Sequence, residues 1–232
     1  MGQQEIAIIV GAGPGLSASL TRQCAREGMQ VVVAARDTAK LAELVRDTDA
    51  HPIACDVVDR PQVESLFEEV DKRWGSPHLV VFNAGERYRA PIGTIDPQRF
   101  ERALRVTALG GLLVAQAAAV RMIKRGGGSI LLTGATASVK GLPGSTPFAM
   151  AKFALRGLAQ CLARELAPKN IHVAHFVIDG GIATTWAGQD AVRGEDKWLD
   201  PEDIAREYLH VHRQRRSAWT WEVELRPWVE KF

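Results

Sequence analysis

VGAGPGLSASL, residues 10 to 20, sets Gly11, Gly13 and Gly15 between an apolar stretch and an amphipathic one that runs to about Glu27, where Gly28 ends it. Glycine lets a backbone turn sharply and approach a pyrophosphate, which then rests against the positive end of the following helix. Between a strand pattern and a helix pattern at the start of the chain, the cluster points to a dinucleotide. The GxGxxG spacing is not completed, since Leu16 and then Ser17 follow, and a hydroxymethyl there implies slightly looser helix–strand packing. Roughly 20 residues on, where an acid would hold the ribose diol of NAD, the chain reads AARDTAKL and presents Arg36. A guanidinium suits a 2′-phosphate, which it grips with paired N–H donors, so NADP(H) is expected rather than NAD(H). Asp37 competes for the diol, or caps the helix TAKLAELVRD that it precedes.

A second group lies in STPFAMAKFAL, residues 145 to 155, where Phe148 and Lys152 stand one helical turn apart on the same face. Read alone, such a lysine is an ordinary helix-surface residue. His172 and His175 fall in an apolar run and read as structural. No His, Cys or carboxylate set has metal-ligand spacing, so no metal is expected. Cys24, Cys55 and Cys161 are odd in number and widely spaced, as reduced core thiols are.

The elements that must position these groups alternate along the chain. Short apolar runs at 6–10, 31–35, 51–55, 79–82, 129–133 and 171–178 read as strands covered on both faces, with helices between them, and WTWEVEL (219–225) reads as a last strand. This is the pattern of an α/β protein with a doubly wound parallel sheet in three layers, here a single domain over residues 1–232. Helix starts are marked by a cap followed by proline: Asp96 with Pro97, Thr146 with Pro147, and Asp200 with Pro201. The polar stretch 187–199 has no pattern and reads as a mobile loop.

Composition excludes several classes. The 232 residues are 46% hydrophobic and 24% charged, with a net charge of +2 spread along the chain, so nothing singles out nucleic acid. The N-terminus has no basic segment before its apolar run. The longest apolar run, 106–120, falls short of the ~20 residues a membrane span needs. A cytoplasmic protein is expected, with a small-molecule substrate.

At this point the chain resembles the short-chain dehydrogenase/reductase family over nearly its whole length, and with it the Rossmann fold. GAGPGLS resembles the family's glycine loop, which implies that Gly11, Gly13, Gly15 and Leu16 line the cofactor. CDVVD looks like the segment whose aspartate, Asp56, contacts the adenine beside Val57. FNAG is similar to the NAG motif, Asn83, Ala84 and Gly85, that steadies the sheet next to the cofactor. DGGIAT resembles the stretch whose Ile182 and Thr184 meet the nicotinamide carboxamide, although Asp179 replaces the usual proline. LDPEDIA, 199–205, is similar to a family segment before the last strand.

The departures fall where the family does its chemistry. The resemblance implies a proton-transferring tyrosine, a lysine four residues on that binds ribose, a serine that orients the carbonyl and an asparagine in a water relay. Position by position these become Phe148, Lys152, Ala135 and Thr107. Cofactor contacts are kept and proton contacts are lost. General acid help is worth roughly 10²- to 10⁴-fold, so a substitute donor is sought. Tyr88, in the loop after the fourth strand, is the candidate beside Lys152 and Thr107, with Thr133, Thr136, Ser138 and Ser145 as further hydroxyls near the lost serine. Three readings stay open: an NADP(H)-dependent oxidoreductase with a rearranged donor, an NADP(H)-binding protein without turnover, and a non-redox enzyme in the same pocket. Helices within 97–125 and 147–167 are apolar over more than one face, and the resemblance implies pairing through them into a homodimer or homotetramer.

Overall fold

The computed structural model describes residues 4–183 and 197–230. Its strands are β1 (Ile6–Val10), β2 (Gln30–Ala35), β3 (His51–Ala54), β4 (Leu79–Phe82), β5 (Gly128–Thr133), β6 (Ile171–Ile178), β7 (Gly181–Ile182), β8 (Trp198–Leu199) and β9 (Glu222–Leu225). Seven form one sheet in the order β3-β2-β1-β4-β5-β6-β9, every pairing parallel. The helices are α1 (Leu16–Arg26), α2 (Ala42–Thr48), α3 (Arg60–Arg73), α4 (Pro97–Leu104), α5 (Gly110–Arg125), α6 (Thr146–Leu166) and α7 (Pro201–His212).

The continuous apolar runs have a simple cause. On β1, Ile6, Ile8 and Val10 enter one core with Phe67 of α3, Val114 of α5 and Leu155 of α6, while Ala7 and Ile9 enter another with Leu20 of α1 and Tyr208 of α7. Both faces of each central strand are therefore dry, and the sheet lies between two helical layers. A helical stretch of 29 residues, Pro97–Arg125, is long and apolar enough to cross a membrane, with a mean hydropathy of 1.7, but half of its apolar window is buried in the protein.

Helix starts follow the capping rule in two of three cases. Asp96 accepts from the amides of Gln98 and Arg99, and Asp200 accepts from Glu202 N at 2.8 Å. Thr146 is not a cap: Ser145 occupies that position and Thr146 is the first helical residue. The Ser145 hydroxyl is spent on the preceding turn, donating to Leu142 O at 2.6 Å and accepting from Leu142 N at 3.0 Å. Asp37 accepts from Ala39 N at 3.1 Å, at the start of a 3₁₀ turn (Ala39–Leu41) that precedes α2. The last strand begins at Glu222 instead of Trp219, because the Thr220 backbone is bonded to side chains, its N–H to Gln214 Oε1 at 2.9 Å and its carbonyl to His172 Nε2 at 2.8 Å. Of the expected loop 187–199, residues 187–196 lie outside the described residues, while Trp198 and Leu199 form β8 against β7.

Candidate active site

Chain order reverses between β1 and β4, and at the carboxyl ends of these strands a doubly wound sheet leaves a crevice. Gly11 follows β1 with φ 85°, and a side chain there would meet Ala84 N at 2.4 Å. The glycine loop thus lies directly on the Asn83–Gly85 segment. Ser17, expected to loosen the packing, tightens it: its hydroxyl is fully buried, donates to Gly11 O at 3.0 Å and accepts from Asn83 Nδ2 at 2.7 Å. Gly13 faces open space, so a ligand can reach the backbone there.

A groove of about 320 Å³ follows. Its walls include Gly11, Gly13, Arg36, Asp56, Val57, Asn83, Ala84 and Gly85, eight of the residues expected to hold a cofactor. Gly15 instead caps α1, and the Leu16 side chain is buried in the core, so only its backbone is offered to a ligand. Ile182 is half-buried against the core and pairs with Leu199. Thr184 lies outside the described residues. Arg36 is exposed and has no ion pair among the described residues, whereas Asp37 turns toward Lys40 at 3.3 Å.

Beyond Gly85 sits the lysine. Lys152 is 5% exposed and donates to Thr133 O at 2.7 Å. Its Nζ lies 5.9 Å from the Phe148 ring centroid, within cation–π range. Burial, with no carboxylate among the described residues to offset it, lowers its pKa to about 8. A side chain placed on Gly85 would come 3.5 Å from this Nζ and 3.6 Å from Thr107 Oγ1. Thr107 is wholly buried, its hydroxyl has no partner among the described residues, and it stands in a π-helical turn, Arg105–Leu109, between α4 and α5. The ammonium and an unsatisfied hydroxyl therefore converge on the space that Gly85 leaves.

The other hydroxyls near the lost serine have structural work. Ser138 Oγ accepts from Ala135 N at 3.1 Å, Thr133 Oγ1 bonds the Tyr208 hydroxyl at 2.9 Å, and Thr136 bonds Asp179. Tyr88 is buried, its oxygen accepts from Asp96 N at 2.8 Å, and Arg99 covers its ring at 4.3 Å. It anchors the start of α4 and lines none of the groove.

Two ionic clusters that the sequence did not signal brace this region. Asp179, where the family resemblance expects proline, is 3% exposed and pairs with Lys140 at 3.2 Å and Arg226 at 3.0 Å. Burial pushes its carboxyl up, but bonds from Thr136 and Lys140 and the nearby charges outweigh this and hold it below the ordinary range. Beneath Lys152, Arg156 grips Glu222 at 2.6 and 2.8 Å, and Glu222 accepts from His175 Nδ1 at 3.0 Å. Burial brings His175 to about 4 against the opposing pull of Glu222, so it is neutral, with Nε2 aimed at Gly134, where a Cβ would sit 2.3 Å away.

Comparison with known proteins agrees with this geometry. Residues 5–193 match the family model described as short chain dehydrogenase. The chain is 27% identical to an uncharacterized oxidoreductase of Staphylococcus saprophyticus, over 97% of this chain and 98% of that one. It is 32% identical to a versicolorin reductase of Emericella nidulans, over 78% of this chain and 70% of that protein. A crystal structure of a short-chain dehydrogenase from Rhodopseudomonas palustris superposes with a TM-score of 0.85 at 31% identity, over 97% of this chain and 99% of that one. The chain belongs to the short-chain dehydrogenase family.

Proposed function

We propose that this protein is an NADP(H)-dependent oxidoreductase acting on a small carbonyl or alcohol, with Lys152 in place of the missing tyrosine as the source of the proton. The observation that carries the reading is the pairing of an open groove beside the glycine loop with a buried ammonium that has no carboxylate partner among the described residues. The residues fit the cofactor. Gly11 and Gly13 let the backbone approach a pyrophosphate, and the unpaired Arg36 suits a 2′-phosphate, while Asp37 is engaged with Lys40 and Ala39. When bound, the nicotinamide supplies hydride transfer to or from a carbon.

The chain's own residues do the rest. Lys152, held by Thr133 O, keeps a proton in a dry pocket at a pKa near the working range, where an acid is most effective. Thr107 and the space at Gly85 complete a polar path beside it. Tyr88 already accepts a backbone hydrogen bond and lies outside the groove, so it is assigned to anchoring α4. The test is a carbonyl panel followed by loss of NADPH absorbance, with Lys152→Met as control. Turnover abolished by Lys152→Met without loss of NADPH binding supports the proposal.

A second reading keeps the cofactor and drops the turnover. Phe148 and Ala135 offer no donor, and the neighbouring hydroxyls are engaged elsewhere. Tight NADPH binding with no oxidation across the panel, and no gain in Phe148→Tyr/Ala135→Ser, favours a binding protein.

A further inference from the structure

The groove continues past Asp56. Two further cavities, of about 310 and 390 Å³, adjoin it, and both are lined by Arg36, Arg102 and Val106. Asp56 belongs to the main groove and to one of them, Gly85 to the main groove and to the other. The far wall of this chamber is α4, which contributes Arg99 and Arg102, and the π-helical turn after it, which contributes Arg105.

The charges on this wall are unequally satisfied. Arg105 pairs with Glu101 at 3.7 Å, Arg99 rests on the Tyr88 ring, and Arg36 has no carboxylate partner among the described residues. Arg102 meets Glu86 at 3.0 Å through Nε, so its two terminal nitrogens remain available for a second partner. Two guanidinium groups from opposite walls therefore address one chamber, and one of them has no counter-ion. A phosphate monoester, with three acceptor oxygens and close to two charges, is the group that two forks can share.

We propose that Arg102 is a second specificity-determining residue for the 2′-phosphate, gripping it from the α4 wall while Arg36 grips it from the end of β2. Glu86 holds the Arg102 side chain over the chamber. The proposal rests on the NADP(H) reading above.

Calorimetric titration of the purified chain with NADPH and with NADH tests it, with folding of each variant checked by thermal melting. Arg102→Gln is expected to weaken NADPH roughly tenfold, the effect of losing one charge-assisted bond, and to leave NADH within about twofold. Glu86→Gln is expected to leave NADPH binding within about threefold of wild type, because the carboxamide oxygen still accepts from Arg102 Nε and keeps the guanidinium over the chamber. An Arg102→Gln variant that weakens both coenzymes alike, or neither, overturns the assignment, as does a Glu86→Gln variant that reproduces the Arg102→Gln loss. Failure of the underlying reading looks different: there Arg36→Ala leaves the NADPH-to-NADH preference unchanged, or the wild-type chain shows no preference at all.

Discussion

At the scale of single residues, the account turns on what Lys152 does when position 148 has no hydroxyl. Its pKa of about 8 follows from burial, so the ammonium is the majority form at neutral pH and is lost as pH rises through that value. A reduction that draws its proton from Lys152 should therefore keep a flat kcat/KM below about pH 7 and fall tenfold per pH unit above about 8; the pH profile of NADPH oxidation checks this. Restoring the family's donors in Phe148→Tyr/Ala135→Ser should raise turnover by about 10²-fold, since a positioned acid is worth that much or more. That Gly11, Gly13, Arg36 and Asp56 line one groove is legible in the sequence, because each residue type answers one physical demand expected of a dinucleotide site. The fate of the hydroxyls is not, because Thr133 and Ser138 look alike in sequence and differ only in which way they point.

Among the elements, α6 carries the stripe Phe148, Lys152, Arg156 at four-residue spacing, and the far end of this stripe is pinned to β9 through Glu222. Arg156→Ala should leave Glu222 and the neutral His175 without their cation and lower stability by about 2 kcal/mol in urea unfolding. The Asp179 cluster ties the loop after β5 to the ends of β6 and β9. Its depressed carboxyl pKa means that its contribution is present above the unfolded value of about 3.9 and fades as pH falls below it. Asp179→Ala should cost about 2–3 kcal/mol at pH 7, measured the same way. Neither cluster is readable from sequence, since their members lie far apart along the chain and sequence spacing reports only local neighbours. The π-turn that presents Thr107 is equally silent, because one extra residue in a helix leaves the apolar period almost unchanged.

The whole molecule is the most legible level. Continuous apolar runs announce strands buried on both faces, and six of the seven expected strands match within one residue; the seventh starts late because side chains of Gln214 and His172 take the Thr220 backbone groups. On the outside, Leu112, Val120 and Ile123 of α5 and Met150 and Phe153 of α6 are all 42–50% exposed, an apolar surface on the two helices expected to pair. Light scattering should give a dimer or tetramer for the wild type, and Phe153→Glu/Ile123→Lys should shift it to a monomer of about half or a quarter that mass. On the proposed reading, the same architecture would hold the coenzyme's two ends, with Arg36 in the groove wall at one and Lys152, beyond Gly85, at the other.

Isothermal titration of the folded wild-type chain with NADPH against NADH tests the central claim most directly. The account predicts micromolar or tighter binding of NADPH, weaker binding of NADH, and a clearly smaller difference between the two in Arg36→Ala. Absence of heat with both coenzymes contradicts it.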